Sequence, residues 1–562
     1  MKLYEAFAEA LMREGTKILF TLVDDTILPL VQAASEAGIR IVATRHEQAA
    51  VAMADGYSRG GGFPAVAVVG AGPALAQTAT ALVTAARHRS RILVLAGQTP
   101  ENMAHHVKRF DQAGFIGATG CSVDTLSDDE DASAIFYRAL RRAGSGTGPT
   151  VLCLPADLLE RRVPGPFHDR AEVTAAPPAP DEADVARAAS MVEAARRPII
   201  VAGAGALEAG AKDGIQALAA RSGALLATTL QAREWFRGCA GDIGLMGSLA
   251  TPPARALFGR ADLLVAVGTT LNPYVLGTAF GDALLGAETQ LLQIDRDRAR
   301  IGRDREAAHA LVGDAGACVE ALLRRLGPGD KPRWVEALPQ PSDPGPRPRD
   351  GRPSAREFLA ALEPMLPTER SVTVDCGLFT FAVVDEIRCR PDDFHWTLDF
   401  GSVGLALPLG LGAAMARPEL PAFVFVGDGG LAMCLPELMT AAAQGVAATI
   451  VVLDDGGFGA EALILEERGK PARLADYSNP DFHTVARSLG VESARVDSLA
   501  ELETHRDRLG RPQAGPFLLH ARVVRDIAHR PVAPEPRHGG GGPSDLPAAG
   551  GAKAPPRAAR RR

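Results

Sequence analysis

Short apolar runs alternate along this chain with longer segments whose apolar residues recur at helical spacing. The two clearest helical segments are Arg45–Arg59 and Pro436–Gln444. Apolar runs that each lead into a helix are typical of parallel strands with crossover helices, so the pattern predicts an α/β protein with parallel sheets. The predicted strands are Arg40–Thr44 (taken as buried), Pro64–Val69, Arg91–Ala96, Thr150–Pro155, Pro198–Ala202, Ala224–Thr228, Asp262–Val267, Gln290–Asp295, Ala422–Val426 and Thr449–Leu453.

Proline and charged residues replace this pattern in two places, which we interpret as linkers between domains. The boundaries predicted are a first domain at 1–165, a central domain at 183–330, a linker at 331–354 and a last domain at 355–528. Residues 529–562 are rich in Gly, Pro and Ala and end in three arginines, so we predict a disordered tail. A lid or a site for an anionic partner is the alternative for this tail.

Composition leads us to expect a large soluble protein of the cytoplasm. The 562 residues are 46% apolar, and the net charge of −7 gives no signal for nucleic acid or membrane partners. The seven cysteines form no Cys-x-x-Cys pair, and we expect reduced thiols rather than a disulfide framework. No apolar run is long enough to span a bilayer, and the N-terminus has no signal-peptide core.

Two of the predicted strands end in aspartates that precede glycines. The first gives Gly427-Asp428-Gly429-Gly430 and the second gives Asp454-Asp455-Gly456-Gly457. Because ligands of parallel sheets bind at the carboxyl ends of the strands, both carboxylates should reach one edge. Mg²⁺ prefers such carboxylates together with a backbone carbonyl and phosphate oxygens, and glycines let backbone N–H groups approach an anion. A single Asp between glycines fits a tight turn equally well, but the pair predicts a metal-bound diphosphate.

These residues resemble the thiamine-diphosphate motif of the acetolactate synthase, pyruvate decarboxylase and benzoylformate decarboxylase group. The motif is Gly-Asp-Gly followed by Asn-Asn. The resemblance implies that Asp428 and Asp455 are Mg²⁺ ligands, that Gly457 offers its carbonyl, and that Gly427, Gly429 and Gly430 hold the diphosphate. The chain departs from the family because Asp454 and Asp455 replace the two asparagines. An aspartate keeps the oxygen ligand but adds a negative charge.

Two further segments match the same family. Arg45-His46-Glu47 resembles the start of its N-terminal helix, which implies that Glu47 hydrogen-bonds the cofactor's aminopyrimidine ring. Without the resemblance, Glu47 would be an acidic residue that complements a helix dipole. Phe400–Pro408 resembles the segment that places one bulky apolar residue beneath the cofactor, which implies that Val403 has this role. Its alternative is a core residue.

The resemblance also implies three doubly wound parallel-sheet domains: pyrimidine-binding, central and diphosphate-binding. Family members that carry FAD bind it in the central domain, but this sequence gives FAD no support, because Val267–Tyr274 lacks the family's Phe-Asp-Asp-Arg run. Gly203-Ala-Gly205 suggests a dinucleotide loop and hence an NAD-dependent dehydrogenase, yet Glu208 replaces the third glycine.

By resemblance, the substrate is a small 2-oxo acid and the working unit is a homodimer or homotetramer with shared active sites. Four residues fall near the proton-transfer groups of pyruvate-decarboxylase-type enzymes: Asp25, His105, His106 and Glu461. The segment Gly97-Gln98-Thr99-Pro100 is closer to acetolactate synthase. The sequence thus favours decarboxylation with carboligation to a second carbonyl. The alternatives are simple decarboxylation to an aldehyde and an inactive cofactor-binding regulatory subunit.

Overall fold

The computed structural model describes residues 1–103, 105–168, 179–280, 283–335 and 351–525. The predicted tail at 529–562 and most of the predicted linker at 331–354 lie outside these residues. The described chain contains three six-stranded sheets in which every pairing between strands is parallel. Within the described residues, no helix is both long and apolar enough to cross a membrane.

The N-terminal unit is a parallel sheet covered by helices. Its strand order is β2-β1-β3-β4-β6-β5, formed by β1 (Ile18–Thr21), β2 (Arg40–Ala43), β3 (Ala65–Val69), β4 (Ile92–Gln98), β5 (Ser122–Thr125) and β6 (Thr150–Pro155). Its helices are α1 (Leu3–Arg13), α2 (Leu28–Glu36), α3 (Glu47–Arg59), α4 (Pro73–Ala76), α5 (Ala79–His88), α6 (Gln112–Ala118), α7 (Ala132–Gly144) and α8 (Ala156–Leu159). The prediction of a buried strand at Arg40–Thr44 is wrong in part: β2 lies at the sheet edge, and only Val42 of its residues is fully buried.

The central unit has the strand order β9-β8-β7-β10-β11-β12, which is the 3-2-1-4-5-6 order of doubly wound sheets. The strands are β7 (Pro198–Ala202), β8 (Leu225–Thr228), β9 (Asp242–Leu245), β10 (Leu263–Val267), β11 (Gln290–Asp295) and β12 (His309–Val312). The helices are α9 (Glu182–Ala194), α10 (Ala204–Glu208), α11 (Lys212–Ser222), α12 (Pro252–Phe258), α13 (Pro273–Leu276) and α14 (Ala315–Arg325). The predicted strands of this unit are confirmed, whereas β9 and β12 carry no strong apolar run and were not predicted.

The C-terminal unit repeats the topology of the N-terminal one. Its order is β14-β13-β15-β16-β18-β17, built from β13 (Ser371–Val374), β14 (Phe394–Trp396), β15 (Ala422–Gly427), β16 (Ala448–Asp454), β17 (Glu492–Val496) and β18 (Phe517–Arg522). The helices are α15 (Ala355–Leu362), α16 (Phe379–Glu386), α17 (Ala406–Ala416), α18 (Asp428–Cys434), α19 (Glu437–Gln444), α20 (Gly459–Glu467), α21 (Phe482–Ser488), α22 (Leu499–Glu503) and α23 (Arg506–Leu509). The equal strand order shows that the two outer units share one fold, although no repeat is evident in the sequence.

The two outer units pack together through α3 and α17. A Cβ added to Gly56 would overlap the carbonyl of Leu409, and one added to Gly412 would overlap the carbonyl of Met53. The helices therefore touch backbone to backbone, which only glycine allows at these positions. One apolar core is continuous across the contact and contains residues of both units.

A buried polar cluster joins all three units near this contact. Arg59, whose side chain is 2% exposed, donates to both carboxylate oxygens of Asp55 at 2.7 Å and to the carbonyl of Trp396 at 2.8 Å. Asp399 contacts His88 at 2.9 Å and accepts a hydrogen bond from Gln231 of the central unit at 3.3 Å. Because these buried charges are paired and hydrogen-bonded, they fix the arrangement of the three units.

Candidate active site

A cavity of about 440 Å³ opens at the carboxyl end of the third sheet. The strand order reverses between β13 and β15, and such a switch point is where doubly wound sheets bind ligands. Eight of the residues singled out in the sequence line the cavity: Val403, Gly427, Asp428, Gly429, Gly430, Asp455, Gly457 and Glu461. The rest of the wall is largely apolar and includes Leu378, Phe379, Phe381, Ala382, Phe458 and Val524.

Asp428 is the first residue of α18 and lies at the base of the cavity, with 3% of its surface exposed. One carboxylate oxygen accepts the Gly429 N–H at 2.9 Å, and the other accepts the side-chain amide of Asn479 at 2.5 Å. Burial raises the pKa of Asp428 to about 7, with the negative charge of Asp455 adding to the rise and the Asn479 bond opposing it. A bound cation would stabilise the charged form of this buried carboxylate.

Asp454 points away from the cavity into a hydrogen-bonded chain. Its carboxylate contacts His520 at 2.8 Å and accepts a hydrogen bond from Asn479 at 2.8 Å. Burial raises the pKa of Asp454, but the hydrogen bonds from His520 and Asn479 outweigh it and hold the pKa below its ordinary value. Asn479 thus links Asp428 to Asp454, and the Asp454 carboxylate is held by contacts with His520 and Asn479.

Asp455 faces the cavity. Within the described part of the chain, its Oδ1 atom is buried and has no hydrogen-bond partner. Its Oδ2 atom lies 3.6 Å from the guanidinium of Arg525. Burial raises the pKa of Asp455, and Arg525 opposes the rise. A buried carboxylate oxygen without a partner is costly, and a metal ion would satisfy it.

The residues at this edge fit Mg²⁺ and a diphosphate. The described residues contain no cluster of three or more His, Cys, Asp or Glu side chains that could enclose a metal alone. Mg²⁺ commonly takes one or two carboxylates and completes its shell with phosphates and water, and Asp428 and Asp455 supply two carboxylates to the cavity. A Cβ at Gly429 would overlap the Tyr477 hydroxyl, which is itself buried without a hydrogen-bond partner in the described residues. The Tyr477 hydroxyl can therefore donate to a bound anion, and the Asp455 carboxylate can bind a cation.

A buried aspartate holds the loop that carries Val403. Asp375 follows β13 and accepts hydrogen bonds from the Gly404 N–H at 2.7 Å and the Thr397 hydroxyl at 3.0 Å. Burial raises its pKa to about 6. A Cβ at Gly430 would overlap the same carboxylate. Asp375 therefore joins the loop before α17 to the start of α18, and Val403 is kept half-buried at the cavity wall.

The other four predicted residues lie on the N-terminal unit and do not line this cavity. Glu47 is the first residue of α3, and its side chain is 18% exposed. The Nδ1 atom of the His46 ring lies 3.9 Å from the Glu47 carboxylate. The preceding Arg45 N–H donates to Glu437 of α19 at 3.0 Å. Within one chain, Glu47 is therefore separate from the cavity that contains Asp428.

Asp25 and His106 form part of a second polar group at the carboxyl end of the first sheet. The Lys108 ammonium contacts the exposed Asp25 and also pairs with Asp24 at 2.9 Å. The hydrogen bonds from Thr26 and Lys108 outweigh the effect of burial and lower the pKa of Asp24 to about 2. His106 accepts the Lys108 N–H at 3.1 Å, whereas His105 is exposed. The structure thus brings Asp25 close to His106.

Sequence reasoning missed five residues around the cavity. They are Asp375, Tyr477, Asn479, His520 and Arg525. Asp375 directly follows β13, but no strand was predicted there and the next residue is Cys376 rather than glycine, so the argument used for Asp428 did not reach it. The others lie on segments with no motif, and Asn479 is 51 residues from the carboxylate it binds. Only the folded chain brings them together.

Three family models match the chain in order. They are described as the N-terminal TPP binding domain, the central domain and the C-terminal TPP binding domain of thiamine pyrophosphate enzymes, and they match residues 1–115, 185–322 and 375–521. The central match replaces the hypothesis of a dinucleotide-binding dehydrogenase. It also agrees with the failure of the glycine motif at Glu208.

Curated relatives cover most of the chain. It is 28% identical to the acetolactate synthase large subunit of Parasynechococcus marenigrum, over 94% of this chain and 88% of the relative. It is 30% identical to a putative acetolactate synthase large subunit of Mycobacterium tuberculosis, over 84% and 89%. It is 29% identical to a sulfoacetaldehyde acetyltransferase of Rhodobacter capsulatus, over 81% and 82%.

A solved structure has the same fold. Benzoylformate decarboxylase from Polynucleobacter necessarius superposes with a TM-score of 0.82 at 20% identity, covering 93% of this chain and 99% of that one. At this identity the likeness concerns the fold alone. The family models and the relatives together show that this chain is a thiamine-pyrophosphate-dependent enzyme of the acetolactate synthase and decarboxylase group.

Proposed function

We propose that this enzyme uses thiamine diphosphate and Mg²⁺ to decarboxylate a 2-oxo acid and to join the remaining fragment to a second carbonyl. The observation that carries the cofactor site is the unpartnered Oδ1 of Asp455 in the same cavity as Asp428 and the Gly427–Gly430 turn. Carboligation is supported by two relatives named as acetolactate synthase large subunits, since that name describes a synthesis rather than a decarboxylation alone.

Bound thiamine diphosphate supplies an electron sink for the loss of CO₂. The chain's own residues bind, orient and move protons. Asp428, Asp455 and the Gly457 carbonyl would hold Mg²⁺, and the N-terminus of α18 would face the diphosphate. Val403 would contact the cofactor from the cavity wall. Glu47 would exchange a proton with the aminopyrimidine ring. The apolar wall at Phe379, Phe381 and Phe458 would exclude water from the reacting atoms.

The separation of Glu47 from the cavity supports a site shared between two subunits. Exposed apolar side chains lie beside both halves. Val23, Met103 and Val107 are 48%, 53% and 95% exposed next to the Asp25 and His106 group. Met433 and Leu474 are 62% and 82% exposed beside the segments that carry Asp428 and Tyr477. Apolar patches of this kind mark protein interfaces, so we propose a homodimer or homotetramer in which these two surfaces meet.

One observation favours simple decarboxylation as a second candidate. Release of an aldehyde needs an acid that protonates the substrate carbon after CO₂ has left. Lys108 contacts Asp25 through its ammonium and His106 through its backbone N–H, and Glu461 lines the cavity. In a shared site these groups would approach one another from two subunits.

The two reactions are separated by their products. The enzyme, thiamine diphosphate and Mg²⁺ would be incubated with a panel of 2-oxo acids of increasing side-chain size, and both aldehydes and 2-hydroxyketones would be quantified. We expect 2-hydroxyketones to form the larger share when an acceptor aldehyde or second 2-oxo acid is present. Aldehyde as the sole product would support the second candidate. No consumption of any 2-oxo acid would contradict both.

Tyr477 offers a smaller test of the same site. Burial and the nearby carboxylates raise the pKa of Tyr477, so its hydroxyl stays protonated and can donate to an anion. Tyr477→Phe removes that donor and keeps the ring that packs on Phe458 at 5.3 Å. Because one such hydrogen bond to a charged group contributes about 1.5–3 kcal/mol, we expect thiamine diphosphate to bind roughly tenfold or more weakly. Tyr4→Phe serves as the control, and calorimetric titration measures the difference.

A further inference from the structure

Arg525 follows β18 and brings a permanent positive charge to Asp455. Its guanidinium lies 3.6 Å from the Asp455 carboxylate, and its Nη2 atom donates to the Asp455 backbone carbonyl at 3.5 Å. A second contact at 2.9 Å joins Arg525 to Asp476 on the segment that carries Tyr477. The Arg525 side chain is only 15% exposed, so water screens this charge weakly.

The charges around the cavity explain why such a residue is needed. Asp428, Asp454 and Asp455 place three carboxylates at one sheet edge, and the diphosphate of the proposed cofactor is itself an anion. Asp454 points away from the cavity and is hydrogen-bonded within the chain by its contacts with His520 and Asn479. The carboxylate of Asp455 remains, and the family motif that the chain resembles has a neutral amide there. Arg525 is the cation in contact with it.

We infer that Arg525 is a positioning residue of the metal centre, which offsets the charge of Asp455 and so lets a carboxylate serve at an amide position without repelling the diphosphate. The inference rests on the proposed function, because it concerns how the chain holds Mg²⁺ and thiamine diphosphate. It differs from a purely structural role, in which Arg525 would only anchor the Tyr477 segment through Asp476.

Arg525→Gln separates the two roles through the directions in which the affinities for Mg²⁺ and for thiamine diphosphate change. Without the cation, the cavity is more negative, so Mg²⁺ binds more tightly and the anionic cofactor binds more weakly. The electrostatic energy between a unit charge and a ligand at this range is large even at an effective dielectric constant of about 20. We therefore expect the affinities for Mg²⁺ and for thiamine diphosphate to change roughly tenfold, in opposite directions. The measurements are calorimetric titrations of Mg²⁺ at saturating thiamine diphosphate and of thiamine diphosphate at saturating Mg²⁺.

Three further variants complete the design. Asp455→Asn alone should give the reverse pattern, with weaker Mg²⁺ and tighter cofactor binding. The double variant Asp455→Asn/Arg525→Gln should return both constants to within a few fold of the unmodified protein, since charge is balanced again. Arg506→Gln, which removes the same charge from a 46% exposed side chain on α23, should change neither.

Specific results would overturn the inference. If Arg525→Gln weakens the binding of both Mg²⁺ and thiamine diphosphate, or if the double variant does not return both affinities toward those of the unmodified protein, Arg525 is an anchor and not a charge partner. If Arg525→Gln does not fold, the directions of the affinity changes in Asp455→Asn and in the double variant provide the test. If the unmodified protein binds thiamine diphosphate no better with Mg²⁺ than without it, the proposed cofactor site itself fails and this inference fails with it.

Discussion

Asp428→Ala is expected to weaken thiamine diphosphate binding by at least about a hundredfold. Loss of groups that merely support a metal ligand commonly costs 10–100-fold, and Asp428 would bind the metal directly. Chelation of Mg²⁺ from the unmodified enzyme should have a similar effect. Calorimetric titration measures the affinity, and Asp392→Ala, at a 58% exposed aspartate, is the matched control.

The same substitution should leave the unliganded fold intact. Burial raises the pKa of Asp428, so its charged form is destabilised by its surroundings and its removal relieves that cost. We expect the melting temperature of the apoprotein to change little, while the stabilisation normally gained from cofactor and Mg²⁺ disappears. Undiminished thiamine diphosphate affinity in Asp428→Ala would contradict the site.

The second large effect is expected for Glu47→Gln. Glutamine keeps the size of the side chain and a hydrogen-bonding group but cannot ionise, so cofactor should still bind while exchange of its thiazolium C2 proton slows. General acid–base assistance contributes about 10²–10⁴ in rate, and we expect a loss in that range. Proton exchange followed by NMR after acid quench measures this step without knowledge of the substrate. Glu36→Gln, at an exposed glutamate of α2, is the control.

Subunit mixing tests whether Glu47 acts across an interface. Glu47→Gln and Asp428→Ala subunits should each be inactive, whereas a mixed preparation should regain part of the activity, because hybrid dimers contain one site with both residues intact. An unmodified exchange rate in Glu47→Gln would make Glu47 a structural helix residue. Full activity in a monomer, shown by sedimentation, would rule out the shared site.

Most strands in the middle of the three sheets were predicted from the sequence, although β1, β13 and β18 were missed, and of the edge strands only β2 was predicted. Buried strands such as β15 and β16 are continuous apolar runs, because helices cover both faces of a parallel sheet. Edge strands such as β17 are short and partly polar. The same difference explains the error at β2. A run of apolar residues in the sequence indicates a buried strand, and strands at the edge of a sheet are only partly buried.

The candidate site divides in a similar way. Residues that belong to a local turn, such as Gly427–Gly430, could be predicted because strand, turn and helix are contiguous. The balance of charge could not, because Asn479, His520 and Arg525 approach from distant segments. The fold was also needed to see that Glu47 does not line the cavity that contains Asp428.

The crossing of α3 and α17 has a consequence for the order in which this chain can fold during its synthesis. The apolar face of α3 is completed by a helix that leaves the ribosome much later, after the whole central unit. The central unit has cores of its own and can close early. Until α17 has been synthesised, part of the apolar surface of the first unit stays exposed. We therefore expect truncated products that end before α17 to aggregate. A stable N-terminal unit then requires synthesis to continue through residue 416.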